Sequence, residues 1–412
     1  MSKTFNETKQ FHLEKMCSTN KVSFTRIGFK TQKLRGLKKI KTILARPSFI
    51  VLIFLLLYTT AKLSTTNYNA ASFLYIGKTF LEKDPQSPIT NYIITHMGLP
   101  PNEVGYDGQM YYYIALDPLN AWRNLDTSAR YDRILFPMAS RIIALNNLSL
   151  IPYSMIVINI LSIVIGTETL SRMLRSKGLN PWFSLVYGLY IGQLFVVSRD
   201  CIEAFCYMFV LLGIYSFENR HKTTESALFF ALALFAKETA ILFIAGYIIS
   251  LLFRKAVAFK SKLKFLIITT VPYGVFQIIL WSTFGFIPIL TVGTPTSTKW
   301  IPFYGVFAAN HGLPELLNIS FLIMIPSILS LAIFATQILK ANNEGLLYSL
   351  LLNALFLMLL PTPSYWNIQD YSRISIGLVA AFLTYCTQGD KKTMLLFSLC
   401  WILPFTTYFT YG

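Results

Sequence analysis

Hydrophobic and polar positions divide this chain into three stretches. Residues 1–47 are polar and basic, and 48–62 form a short apolar run. Residues 63–149 are hydrophilic overall, with helical patches at 71–83 and 134–145. From Leu150 onward apolar runs alternate with short polar breaks, at 150–171, 181–198, 201–217, 226–237, 240–253, 265–284, 316–338, 345–360, 373–388 and 393–410. With the first run that predicts about eleven transmembrane helices in an all-α membrane protein, 48–412, behind a basic arm, 1–47. The 63–149 segment is too long for a structureless loop and is expected to carry amphipathic helices and function. The interval between Lys222 and Arg254 is too short for two full spans and holds Lys237-Glu238 at its middle. It predicts a pair of short or broken helices, a form tolerated at membrane depth where backbone lines a cavity.

Composition agrees with the pattern. Hydrophobic residues make up 54% of the 412 and charged residues only 13%, half the charge of an ordinary soluble domain. The net charge of +17 is uneven, since residues 1–46 carry twelve Lys/Arg against two Glu. That arm directly precedes an apolar run. It fits a cytoplasmic tail that touches anionic membrane lipid, and nucleic acid is not the expected partner. Arg172, Arg175, Lys177, Arg220, Lys222, Arg254, Lys255, Lys260, Lys262, Lys264, Lys340, Lys391 and Lys392 mark the same side. The basic stretch is too long for a cleaved signal peptide and no small-residue cleavage site follows. The expected location is the cell (inner) membrane, multi-pass, with the N-terminus cytoplasmic.

Five cysteines (Cys17, Cys201, Cys206, Cys386, Cys400) and four histidines (His12, His96, His221, His311) form no CxxC motif and no metal-ligand spacing. No dense carboxylate cluster calls for an obligatory metal. No cofactor is expected, a divalent cation being the only candidate.

The remaining charges converge on the outer side. Gly105-Tyr106-Asp107-Gly108-Gln109 places a carboxylate between glycines, where backbone turns tightly and a ligand can approach. An Asp there suits a general base, a metal ligand or a sugar anchor, or simply a turn. Asp200 and Glu203 are three apart and predict one shared helix face. Lys237-Glu238 reads as an ion pair at the helix break or as a phosphate donor beside a structural acid. Asp370 and Arg373 read as a helix-end pair or a grip on a lipid phosphate, with Arg130, Arg133 and Arg141 as rivals. Trp300, Phe303 and Tyr304 in the 285–311 loop are interface anchors ahead of sugar-stacking rings.

In this order these runs resemble the C-type (GT-C) membrane glycosyltransferases. The resemblance covers 48 to the C-terminus and is strongest to a bacterial subgroup. It rests on Tyr106-Asp107-Gly108-Gln109, Tyr131-Asp132-Arg133, Arg199-Asp200-Cys201-Ile202-Glu203, Lys237-Glu238-Thr239 and Asp370-Tyr371-Ser372-Arg373. It implies transfer of a sugar from a polyprenyl-phosphate-linked donor to an extracytoplasmic glycan or lipid acceptor. Asp107 is then the general base. Glu103, Tyr106, Gln109, Arg133, Asp200, Glu203, Lys237, Glu238, Asp370 and Arg373 are then substrate-binding positions. The family's adjacent pair of acids is not present, because Glu103 and Asp107 are four apart. The competing classes are a transporter or flippase for lipid-linked glycans, a glycan polymerase or ligase, and a non-catalytic assembly protein. The chain shows no repeated halves with matching broken helices, which transporters often carry.

Overall fold

Helices begin and end where the local residues require it. In the computed structural model, which describes residues 46–254, 257–285, 287, 300–340, 343–388 and 391–402, helix accounts for 76% of the described residues and no strand occurs among them. Pro47 occupies the first turn of α1 (Pro47–Ser64), where its missing N–H costs nothing. The basic arm lies outside the described residues, apart from Arg46 and Pro47.

The segment that follows is folded. Tyr75 takes a left-handed φ of 51°, so the expected helix at 71–83 is broken into two short turns, Ala70–Phe73 and Lys78–Leu81. A single β-bridge joins Gly77 to Asn102. Tyr106 N–H then donates to the Tyr75 carbonyl at 3.0 Å and delivers the chain into α2 (Asp107–Leu116). Every residue of α2 after Asp107 is buried, so this helix is a core element despite lying between spans. The expected second helix is present as α3 (Leu135–Ile143). Arg141 on it donates to the carbonyls of Ala115 and Leu116 at 2.9 and 2.8 Å. It thereby caps α2 through Nη1.

The remaining bundle runs through α4 (Leu148–Ser176), α5 (Ile191–Ser198), α6 (Glu203–Glu218), α7 (Thr223–Ala236), α8 (Ile241–Phe253), α9 (Phe259–Phe284), α10 (Leu313–Ile338), α11 (Gly345–Met358), α12 (Ile368–Ile374) and α13 (Ile376–Tyr385). Among the described residues four helices, α1, α4, α9 and α10, are long and apolar enough to cross a membrane, and the bent pair Pro181–Gly188 and Ile191–Ser198 (46°) adds a fifth candidate. The other elements fall short of a span. α7, with 14 residues, rises only about 21 Å, against a hydrocarbon core of about 30 Å. Leu56 and Leu57 on α1, Val157 and Leu161 on α4, and Val271, Ile278 and Ile279 on α9 are exposed. Apolar surface of that extent suits a hydrocarbon surrounding.

The expected break lies at Lys237. Its backbone is extended (φ −159°, ψ 135°) between α7 and α8. α6 packs against α4 and α7, and α8 against α11. The α8–α11 contact is close, because a Cβ on Gly246 would sit 2.4 Å from Ser349 Oγ and 2.6 Å from its backbone nitrogen. Gly246→Ala is therefore expected to destabilise the protein by about 1–3 kcal/mol through overpacking. The check is a lowered midpoint of thermal unfolding in detergent.

Candidate functional site

Asp107 sits in the first turn of α2, after the extended residue Tyr106. Its flanking glycines serve close packing. A Cβ on Gly105 would meet the Gln109 side chain at 1.8 Å, and one on Gly108 would meet the Arg199 carbonyl at 2.0 Å. Gln109 is fully buried and its Oε1 accepts from Gly77 N–H at 2.9 Å and from Tyr113 at 3.0 Å. It pins the loop beneath Asp107. Glu103 is exposed and pairs with Lys78, apart from the other acids.

The charged residues of five separate elements meet around Asp107. Arg130 Nη2 lies 2.7 Å from Asp107 Oδ1, and Arg373 Nη1 lies 2.8 Å from Oδ2. The same Arg373 nitrogen lies 3.0 Å from Glu203 Oε1, which also takes Lys237 Nζ at 2.7 Å. Arg133 grips Glu238 with Nε and Nη2 at 2.8 and 2.6 Å, and its Nη1 donates to Tyr111 Oη at 2.7 Å. Tyr106 donates to Asp370 at 2.5 Å, and its ring lies under the Arg373 guanidinium. Asp370 completes the set at 3.7 Å from Arg373. The side chains of Glu203, Arg373 and Lys237 are only 1%, 6% and 8% exposed, so these pairs interact with little screening by water.

Two expectations are corrected in detail. Lys237 and Glu238 do not pair with each other, because the extended backbone at Lys237 sends neighbouring side chains to opposite sides. Asp200 and Glu203 do not share a helix face. Asp200 takes a left-handed φ of 46° and α6 starts only at Glu203. Asp200 is buried near Lys62 and Asn159 and takes no part in the Asp107 pairs. Of the 285–311 loop, 286 and 288–299 lie outside the described residues, while Trp300 is exposed and Phe303 buried.

Sequence reasoning missed Tyr111, whose hydroxyl accepts from both Arg130 and Arg133, and Asp126, which holds Arg130 at 2.6 Å. The signal for Asp126 was its spacing four residues before Arg130. It missed also Gln277 on α9, whose amide donates to Asp132 at 2.7 Å.

A cavity of about 680 Å³ opens beside this network. Leu234, Ile241, Leu242, Tyr273, Phe356 and Leu360 form its apolar wall, and Arg133, Lys237 and Glu238 form its charged end. Among the described residues no group of three or more His, Cys, Asp or Glu could hold a metal ion. Comparison with protein-family models, with curated proteins and with solved structures finds no match to this chain.

Burial alone would raise the Asp107 pKa, but Arg130 and Arg373 outweigh it and hold the carboxyl well below the usual carboxylate range. Burial also raises Asp370, partly offset by Arg373 and Tyr106. Asp132 is pushed up to about 6 by burial, with Gln277 opposing. An acid raised in the folded state favours folding below its unfolded pKa, and that advantage is lost as pH rises through the folded value. The wild type is therefore expected to lose stability between about pH 4 and 6 on account of this one residue. Asp132→Asn keeps an acceptor for Gln277 and removes the charge. It is expected to melt above the wild type at pH 7 and alongside it at pH 4, as read from paired thermal melts.

Proposed function

We propose that the chain is a membrane glycosyltransferase of the GT-C type, which moves a sugar from a polyprenyl-phosphate carrier to an acceptor outside the cytoplasm. The observation that carries this reading is an apolar cavity that ends in Arg133 and Lys237, joined through Glu203 and Arg373 to the carboxylate of Asp107. A prenyl tail suits the apolar wall, and its phosphate suits the cationic end. The reading includes the wider topology: about eleven spans, a cytoplasmic basic arm, and the Asp107 end facing outward.

In the proposed reaction an acceptor hydroxyl attacks the anomeric carbon of the donor. Asp107 takes the hydroxyl proton as the new C–O bond forms. The bond from the anomeric carbon to the phosphate oxygen breaks on the opposite face, and its electron pair leaves with the prenyl phosphate. The result is inversion in a single displacement. The leaving group is a stable anion and needs no general acid. Lys237 and the neighbouring guanidiniums oppose its growing negative charge in a site with little water.

A positioned base contributes about 10²–10⁴-fold in rate. Asp107→Asn is accordingly expected to lose turnover by that factor, read as prenyl phosphate released from a panel of prenyl-phosphate sugars by purified protein. Turnover equal to wild type in that variant would falsify the assignment of the base. Glycolipid binding without release from any donor favours the flippase or assembly class.

A further inference from the structure

A base held far below its ordinary pKa accepts protons poorly, and the contacts of Asp107 raise the question of what frees it. Two cations share one oxygen of Glu203. Its Oε1 lies 2.7 Å from Lys237 Nζ and 3.0 Å from Arg373 Nη1, and that same nitrogen lies 2.8 Å from Asp107 Oδ2. Lys237 is at the charged end of the apolar cavity, whereas Arg373 is not among its lining residues. Glu203 therefore links the cavity to the base through Arg373, beside a second connection that runs from Arg133 through Tyr111 to Arg130. It is essentially inaccessible to solvent at 1% exposure, so its negative charge must be matched by whichever cations remain beside it.

We propose that Glu203 is a positioning residue that couples the arrival of a prenyl phosphate at Lys237 to the release of Asp107 from Arg373. This rests on the transferase reading above. An ammonium has three donors, and a phosphate in the cavity competes for Lys237 with Glu203. As Lys237 turns to the phosphate, Glu203 draws harder on Arg373. The shared guanidinium nitrogen moves its balance toward Glu203, and Asp107 loses one of its two cationic partners. The acid at the reaction centre then gains basicity only when a donor is in place, and Arg130 keeps it oriented.

Other groups around Asp107 define the background against which this is measured. They are Arg130, Arg133, Tyr106 and Tyr111 from its own segment, Cys201 and Glu203 from the start of α6, and Asp370 and Arg373 from α12. The charge of the phosphate itself also raises Asp107 by direct repulsion. The test must separate that direct effect from the one transmitted through Glu203.

The experiment titrates the Asp107 carboxyl by difference infrared spectroscopy in the full-length protein, with Asp107→Asn to assign the band. Farnesyl phosphate is the probe and farnesol the uncharged control, with occupancy measured by radiolabel. Loss of one close opposite charge is expected to move the midpoint up by about one pH unit or more. The expected result is that shift in wild type with farnesyl phosphate, none with farnesol, and in Glu203→Gln at equal occupancy only the smaller shift that direct repulsion by the phosphate leaves. No shift in wild type overturns the proposal, and so does a shift of equal size in Glu203→Gln. If Glu203→Gln does not fold, Lys237→Gln must show the same reduction at equal occupancy, and a shift of full wild-type size there overturns the coupling. Turnover enters none of these readouts. A protein that shifts but releases no prenyl phosphate keeps the coupling and loses the transferase reading. One that turns over without a shift loses the coupling alone.

Discussion

One carboxylate oxygen, Glu203 Oε1, holds two cations deep in the bundle, and the geometry of the site hangs on that sharing. Lys237 comes from the gap between α7 and α8, Arg373 from α12, and Glu203 from the start of α6. Removing one member of such a buried set leaves an uncompensated charge, at a cost of about 3–5 kcal/mol. The three elements are thus tied together by charge as well as by apolar packing. The extended backbone at Lys237 makes this possible, because it lets adjacent residues serve two different partners. A continuous helix would have turned Lys237 and Glu238 about 100° apart on one surface.

The helical membrane character was legible in the sequence, as was the break at Lys237-Glu238. Charges in so apolar a chain are costly and stand out, which is why Asp107, Glu203, Lys237, Glu238, Asp370 and Arg373 could be grouped before any coordinates. Their pairing was not legible. A pair such as Arg133 with Glu238 joins residues 105 apart in sequence, and no local periodicity encodes that. Local spacing misled where backbone conformation broke the helix, as at Asp200 with its left-handed φ of 46°.

Other residues had a chemical look and a structural task. Gln109 resembles a ligand-facing amide by its place beside Asp107, yet its Oε1 accepts from Gly77 and Tyr113 within the protein. Arg141, a candidate phosphate ligand by its charge, spends its Nη1 as the C-terminal cap of α2. Buried polar groups must be matched, so in a chain this poor in polar residues many of them are consumed by the fold. The apolar cavity was invisible in the sequence for a different reason. Its wall draws on α7, α8, α9 and α11, and each contributes residues that look like ordinary core.

The contact of Gly108 with the Arg199 carbonyl bears on how such a protein can change over time. A side chain as small as alanine at 108 would need to stand 2.0 Å from that oxygen, so the start of α2 and the turn before α6 form a single mechanical joint. The 63–149 segment is then no interchangeable module. A recombination point that brought in a foreign segment would also have to bring its matching α5–α6 turn, two pieces separated in sequence by α4 and α5. Divergence of the segment is left to positions away from that joint, such as the exposed residues of its turns, where insertions leave Asp107 in register.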